Sequence, residues 1–256
     1  MCLILLAVQK HPNYKLILAA NRDEYYERHS EPPHFWEDAP HLLAGRDLVA
    51  GGTWLGITRN GRIAAVTNYR DPASVKPNAP SRGKLVSDFL ASDLDPLSYL
   101  ELIRPEKDRH NGFNLILGSL DRIIWYSNRS GEATQLLSGV YGLSNHLLDT
   151  PWPKVVRSKA MFEEVLHTTG QISAESLFLL LKDQTMATDD RLPRTGVPTE
   201  WERILSPIFI TSPTYGTRSS TVILIDKEDH VTFLDRTFNG SSDSVTTCEF
   251  RFALEV

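Results

Sequence analysis

Cys2 is the residue of this 256-residue chain best placed to act as a nucleophile, and its position matters as much as its type. Initiator methionine is usually trimmed when the next side chain is small. Loss of Met1 leaves Cys2 with a thiol and a free α-amine on one carbon. Reference pKa values of about 8.5 for a thiol and about 7.7–8.0 for an α-amine put a base beside its own nucleophile near neutral pH. That pairing suits attack on an amide carbonyl and later hydrolysis of the thioester. The structural alternative is a small residue opening a core strand, since Cys2-Leu3-Ile4-Leu5-Leu6-Ala7-Val8 is apolar throughout.

Several polar groups could serve such a nucleophile. Asn21-Arg22-Asp23-Glu24 closes the second apolar run. A guanidinium at Arg22 beside Cys2 favours thiolate, and a carboxylate at Asp23 could hold the α-amine. Adjacent strand residues face opposite sides. Arg22 and Asp23 therefore both reach Cys2 only where the strand bends or ends; in a straight strand Arg22 and Glu24 share a face. A strand-end ion cluster is the alternative. Asn68 and Asn145 each follow an expected strand, where an amide can donate to a developing oxyanion; asparagine also favours plain turns. Arg218 precedes a late strand and could bind a carboxylate or support the thiol, or simply be a surface arginine.

Gly51-Gly52-Thr53-Trp54-Leu55-Gly56 is glycine-dense but lacks the Lys and Ser/Thr of a phosphate-binding loop. The glycines read as letting backbone approach a ligand or a second sheet. Trp54 then lines a substrate pocket or packs in the core. His29, His34 and His41 match no zinc spacing and read as a solvated loop, with metal or haem ligation as the weaker alternative. No metal site and no cofactor is expected, and no nucleotide fingerprint is present.

The elements that must position these groups are legible as periodicities. Runs 2–8 and 14–20 barely alternate, so they read as a hairpin buried on both faces. Residues 25–40 read as a polar, proline-bearing loop. Runs 54–58 and 62–66 flank Asn60-Gly61, the dipeptide of tight hairpin turns. Helices are expected over 84–91, 97–103, 153–167 and 173–182. Further strands are expected over 113–117, 123–127, 140–143, 220–225, 231–235 and 248–254. Residues 185–203 read as irregular. This order predicts a single α+β layered domain over residues 1–256.

Bulk properties narrow the function classes. A net charge of −5 gives no nucleic-acid surface. Two cysteines, Cys2 and Cys248, make no disulfide scaffold and point to a reducing, cytoplasmic setting. The N-terminal apolar run is too short for a signal peptide or a membrane span.

A set of motifs in order carries a family resemblance. These are Met1-Cys2, Leu18-Ala19-Ala20-Asn21-Arg22-Asp23-Glu24, Gly51-Gly52-Thr53-Trp54-Leu55-Gly56, Thr67-Asn68-Tyr69, Asn111-Gly112-Phe113-Asn114-Leu115, Tyr141-Gly142-Leu143-Ser144-Asn145, Pro151-Trp152 and Tyr215-Gly216-Thr217-Arg218. Together they resemble the NRDE family, also called the transport-and-Golgi-organisation family. The resemblance implies an αββα sandwich of the N-terminal nucleophile hydrolase type. A more distant similarity is to bile-salt hydrolases and penicillin V acylases. It implies a catalytic set of Cys2, Arg22, Asp23, Asn68, Asn145 and Arg218, although those acylases usually separate the early Arg from the Asp. The implied activity is cleavage of a non-peptide C–N amide in a small-molecule substrate. The alternative from another class is a carrier for haem or a lipid-like hydrophobic ligand, consistent with the family's links to Golgi organisation, lipid metabolism and haem movement.

Overall fold

Apolar runs at the start of the chain pair as two long strands, β1 (Cys2–His11) and β2 (Tyr14–Tyr25). The computed structural model describes residues 2–167 and 169–255. These form two units, each built on its own antiparallel sheet. The expected trimming of Met1 falls outside the described residues.

The first unit holds the chain up to Glu27, Ser138–Ser144 and Leu148–Phe252. Its strands are completed by β10 (Gly139–Leu143), β11 (Tyr215–Asp226), β12 (His230–Phe238) and β13 (Ser244–Ala253), in the order β10-β1-β2-β11-β12-β13. Odd-numbered residues of β1 and β2 and even-numbered residues of β11, including Leu5, Ala7, Ile17, Ala19, Val222 and Leu224, pack against helices α3 (Pro153–Leu166) and α4 (Ala174–Leu181). Phe162, Leu177 and Phe178 fill that layer. Gly142 on β10 lets α3 come close, because a Cβ there would lie 2.8 Å from Val155 Cγ1. Even-numbered Ile4, Leu6, Leu18 and Ala20 are buried as well, which explains why the two runs do not alternate.

The second unit holds Arg28–Leu137, Asn145–Leu147 and the residues after Phe252. Its seven strands run in sequence order: β3 (Ser30–Trp36), β4 (Ala39–Asp47), β5 (Leu55–Thr58), β6 (Ile63–Asn68), β7 (Phe113–Ser119), β8 (Arg122–Ser127) and β9 (Ala133–Leu136). Helices α1 (Arg82–Ala91) and α2 (Pro96–Ile103) cover one face, with Val86, Phe89 and Tyr99 against Ala64, Val66, Leu115 and Leu117. Asp95 caps α2 by accepting from the N–H groups of Leu97 and Ser98, and Pro96 opens it.

The stretch expected as a loop over residues 25–40 instead carries β3 and the start of β4. Its Pro32-Pro33 pair breaks the period-two pattern and removes two donors. β3 tolerates this because it is an edge strand, and its register to β4 shifts between Glu31 and His34. The stretch 185–203 contains the start of a short helix, α5 (Thr199–Ile204).

Candidate active site

Cys2 and Arg22 are register partners across β1 and β2. Both side chains therefore project from the sheet face opposite α3 and α4. Cys2 is buried, at 7% exposure. Burial pushes its thiol above the ordinary range, and the Asp23 carboxylate pushes the same way. Arg22 and a hydrogen bond from the Asp23 backbone N–H pull it down. Arg22 thus favours thiolate, and burial outweighs it. Arg22 Nη1 is a buried nitrogen with no hydrogen-bond acceptor among the described residues.

β2 does not end at Arg22 but runs to Tyr25. Arg22 and Asp23 consequently lie on opposite faces. Asp23 turns to the helix side, where Thr217 Oγ1 donates to its Oδ1 at 2.8 Å. The Tyr215 hydroxyl donates to the Asp23 backbone oxygen at 2.9 Å. Lys154 Nζ, from the first turn of α3, lies 4.0 Å from Asp23 Oδ2, with side chains 2% and 0% exposed. Asp23 acts on Cys2 through its N–H and its charge rather than through a shared face. Glu24 is partly exposed and its charge acts on Arg218.

β11 pairs with β2 so that Thr217 faces Asp23 and Ser219 faces Arg22. Arg218 is the extra residue between them, the mark of a β-bulge. Its Nη1 donates to the backbone oxygens of Tyr25 at 3.0 Å and Tyr26 at 2.8 Å. Burial, then the nearby Arg22, pulls its guanidinium below the ordinary value.

Asn68 and Asn145 belong to the second unit. Asn145 Nδ2 donates to the Asn68 backbone oxygen at 3.0 Å, and the Arg70 N–H donates to the Asn145 oxygen at 2.7 Å. The end of β6 and the segment after Leu143 are thereby tied together. Asn114 Nδ2 adds bonds to Thr67 Oγ1 at 3.2 Å and to the His146 oxygen at 2.8 Å. The Tyr69 hydroxyl lies 2.7 Å from His146 Nε2. Burial pushes the Tyr69 phenol up and the His146 imidazole down. Ser144, which precedes Asn145 in the chain, donates its hydroxyl to the Cys2 backbone oxygen at 3.1 Å.

Trp54 rests half-buried on the core of the second unit. Of the two glycines before it, Gly52 makes room for a helix: a Cβ there would lie 2.5 Å from the Gly83 carbonyl carbon in α1.

Three residues around Asp23 and Arg22 have no role assigned by the motifs. Thr217 and Lys154 hold Asp23. Asp235, 3% exposed on β12, faces Thr221, whose hydroxyl donates to it at 2.7 Å. Burial raises this carboxyl to about 6, against hydrogen bonds from Thr221, Ser219 and Thr237 and the charge of Arg22. One signal in the sequence does point to Lys154. A lysine in the first turn of a helix opposes the helix dipole, so its placement calls for a local anion.

Among the described residues no group of three or more His, Cys, Asp or Glu is placed to hold a metal ion, and no helix is long and apolar enough to cross a membrane.

A conjugated bile acid hydrolase variant from Clostridium perfringens superposes with a TM-score of 0.54, over 100% of this chain and 99% of that one, at 10% identity. At that identity the likeness speaks for the fold alone: the αββα architecture of N-terminal nucleophile hydrolase-like proteins. Sequence relatives are much nearer. A Transport and Golgi organization protein 2 homolog from Bos taurus is 40% identical over 98% of this chain and 99% of its own length. Transport and Golgi organization protein 2 of Drosophila melanogaster is 30% identical over 94% and 93%. The model of the family described as Transport and Golgi organisation 2 matches residues 1–240. The chain belongs to the Transport and Golgi organisation 2 family.

Proposed function

We propose that this chain is an N-terminal-cysteine amidohydrolase that cleaves a non-peptide C–N amide after losing Met1, in a cytoplasmic setting that keeps its thiols reduced. The observation that carries this reading is Cys2 at the start of β1, directly opposite Arg22 and hydrogen-bonded by the Asp23 N–H. In the reaction, the Cys2 α-amine takes the thiol proton and Sγ bonds to the amide carbonyl carbon. The C–N bond then breaks, and the amine returns the proton to the leaving nitrogen. Water attacks the thioester, with the amine again accepting a proton, and the thiol is restored. Asn68 and Asn145 serve as oxyanion donors. The buried Nη1 of Arg22 is available to a substrate oxygen, Arg218 shapes the strand end, and Trp54 is assigned to substrate contact.

A carrier for haem or a lipid-like ligand would use the same residues without bond cleavage. The deciding experiment is a hydrolysis screen on conjugated bile acids, N-acyl amino acids and acylamino lactones, with thermal melts alongside. Wild type is expected to release the amine. Cys2→Ala is expected to retain the fold, with a loss of about 1 kcal/mol, and to lose all turnover. Asn145→Ala is expected to turn over roughly 10²–10³ times more slowly. Full activity in Cys2→Ala overturns the mechanism. An inactive wild type whose haem or lipid binding survives Cys2→Ala selects the carrier.

A further inference from the structure

Lys154 has no part in the amidohydrolase reading above, yet its position is costly. Its side chain is 2% exposed, and a buried ammonium persists only where an anion compensates it. It also stands in the first turn of α3, the end of the helix that disfavours a cation. The fold nevertheless pins it there. Trp152 and Val155, on either side, pack with Leu3 of β1 and with Ile208. Gly142 lets the same turn of α3 press onto β10. The facing anion is Asp23, itself fixed by the Thr217 hydroxyl on one oxygen and by Tyr215 at its backbone. Asp23 in turn donates its N–H to the Cys2 sulfur.

We propose that Lys154 is a positioning residue for the Cys2 chemistry, its ammonium paired with the Asp23 carboxylate and setting the charge felt at the start of β1. The inference rests on the amidohydrolase reading for its purpose, and on the buried Lys154–Asp23 contact for its substance. The ionisable groups that Asp23 touches or acts on include Cys2 on β1, Tyr26 just after β2, Tyr215 on β11 and Lys154 on α3, while Arg22 lies on the opposite face of β2. A general base must be neutral to accept a proton, and a nearby cation disfavours its protonation. The same cation favours thiolate over thiol. Without the Lys154 charge, the Asp23 carboxylate acts more strongly on the start of β1 and raises the pH at which both the thiol and the amine release their protons.

The test measures alkylation of Cys2 by iodoacetamide as a function of pH, read by peptide mass. The protein is released from a cleavable fusion so that it begins at Cys2, and Cys248 serves as internal control. In Lys154→Met the Cys2 midpoint is expected to rise by about one pH unit, so that labelling at pH 7 slows about tenfold. Lys154→Arg is expected to restore it to within about twofold of wild type. Cys248 is expected to keep its rate in every variant. If Lys154→Met does not fold, Lys154→Gln, which keeps a donor toward the carboxylate and loses only the charge, is read in its place. A midpoint equal to wild type in a folded variant, with only the melting temperature lowered, overturns the proposal and leaves Lys154 a structural ion. The readout needs no substrate. A wild type that cleaves no amide while the midpoint still moves therefore fails the amidohydrolase reading and not this one.

Discussion

Replacing Asp235 by Asn should stabilise the protein at pH 8 and change little at pH 4. Asp235 lies on β12, 3% exposed, opposite Thr221. Burial raises its carboxyl from the ordinary 3.8 to about 6, even with three hydroxyl donors and Arg22 nearby. Between those two values the folded state holds a proton that the unfolded chain has released. Stability therefore falls as pH rises through this window, and the penalty is complete above about pH 6. Each tenfold in an acid constant is worth about 1.4 kcal/mol. The step from 3.8 to about 6 thus costs on the order of 3 kcal/mol, an upper figure because Arg22 and the hydroxyls can relax toward the charge. Asn keeps the shape and an acceptor for Thr221 but has no charge to bury. The assay is urea unfolding of both proteins at pH 4.0 and pH 8.0, on either side of the isoelectric point near 5.9. The difference between the two proteins should widen by about 2–3 kcal/mol at the higher pH. A difference that stays within about 0.5 kcal/mol across the two pH values refutes the argument.

Two further outcomes follow from geometry. Gly52→Ala places a Cβ within 2.5–2.7 Å of the Gly83–Lys84 backbone, which no side-chain rotation relieves; a loss of about 1–3 kcal/mol in denaturant unfolding is expected, and a neutral result shows that the loop can withdraw from α1. In a chain that keeps Met1, the buried Cys2 should alkylate more slowly than the part-exposed Cys248, and the order should reverse when the chain begins at Cys2; an unchanged order in peptide-mass labelling excludes the α-amine as the activating group.

Much of the sheet framework is readable from the chain because burial on two faces leaves long apolar runs. β1, β2, β6 and β7 show this directly, and Asn60-Gly61 marks the turn between β5 and β6. β3 is not readable, because prolines mask a strand whose hydrogen bonds are needed on one side only. The site divides in the same way. The pairing of Cys2 with Arg22 follows from a two-strand hairpin, where register is local. The turn of Asp23 to the other face follows from strand alternation alone. Its partners do not, since Thr217 is 194 residues away and Lys154 arrives on a helix. The hydroxyl-lined carboxylate of Asp235 is equally silent, because nothing in Leu234-Asp235-Arg236 distinguishes a buried acid from a solvated one until β11 and β12 are aligned.

The edge strand β3 bears on how the protein behaves in a crowded solution. A sheet margin with free N–H groups invites another chain to add a strand, the first step toward fibrillar association. Pro32 and Pro33 have no N–H to offer, and the register shift beside them spoils the repeat that an incoming strand would match. Neighbouring charge reinforces this, with Arg46 ion-paired to Asp38 at 2.7 Å and its guanidinium lying over the Trp36 ring at that margin. The two prolines that disguise β3 as a loop thus act as its guard against self-association, and the register shift to β4 beside them is where the sheet accommodates the missing donors.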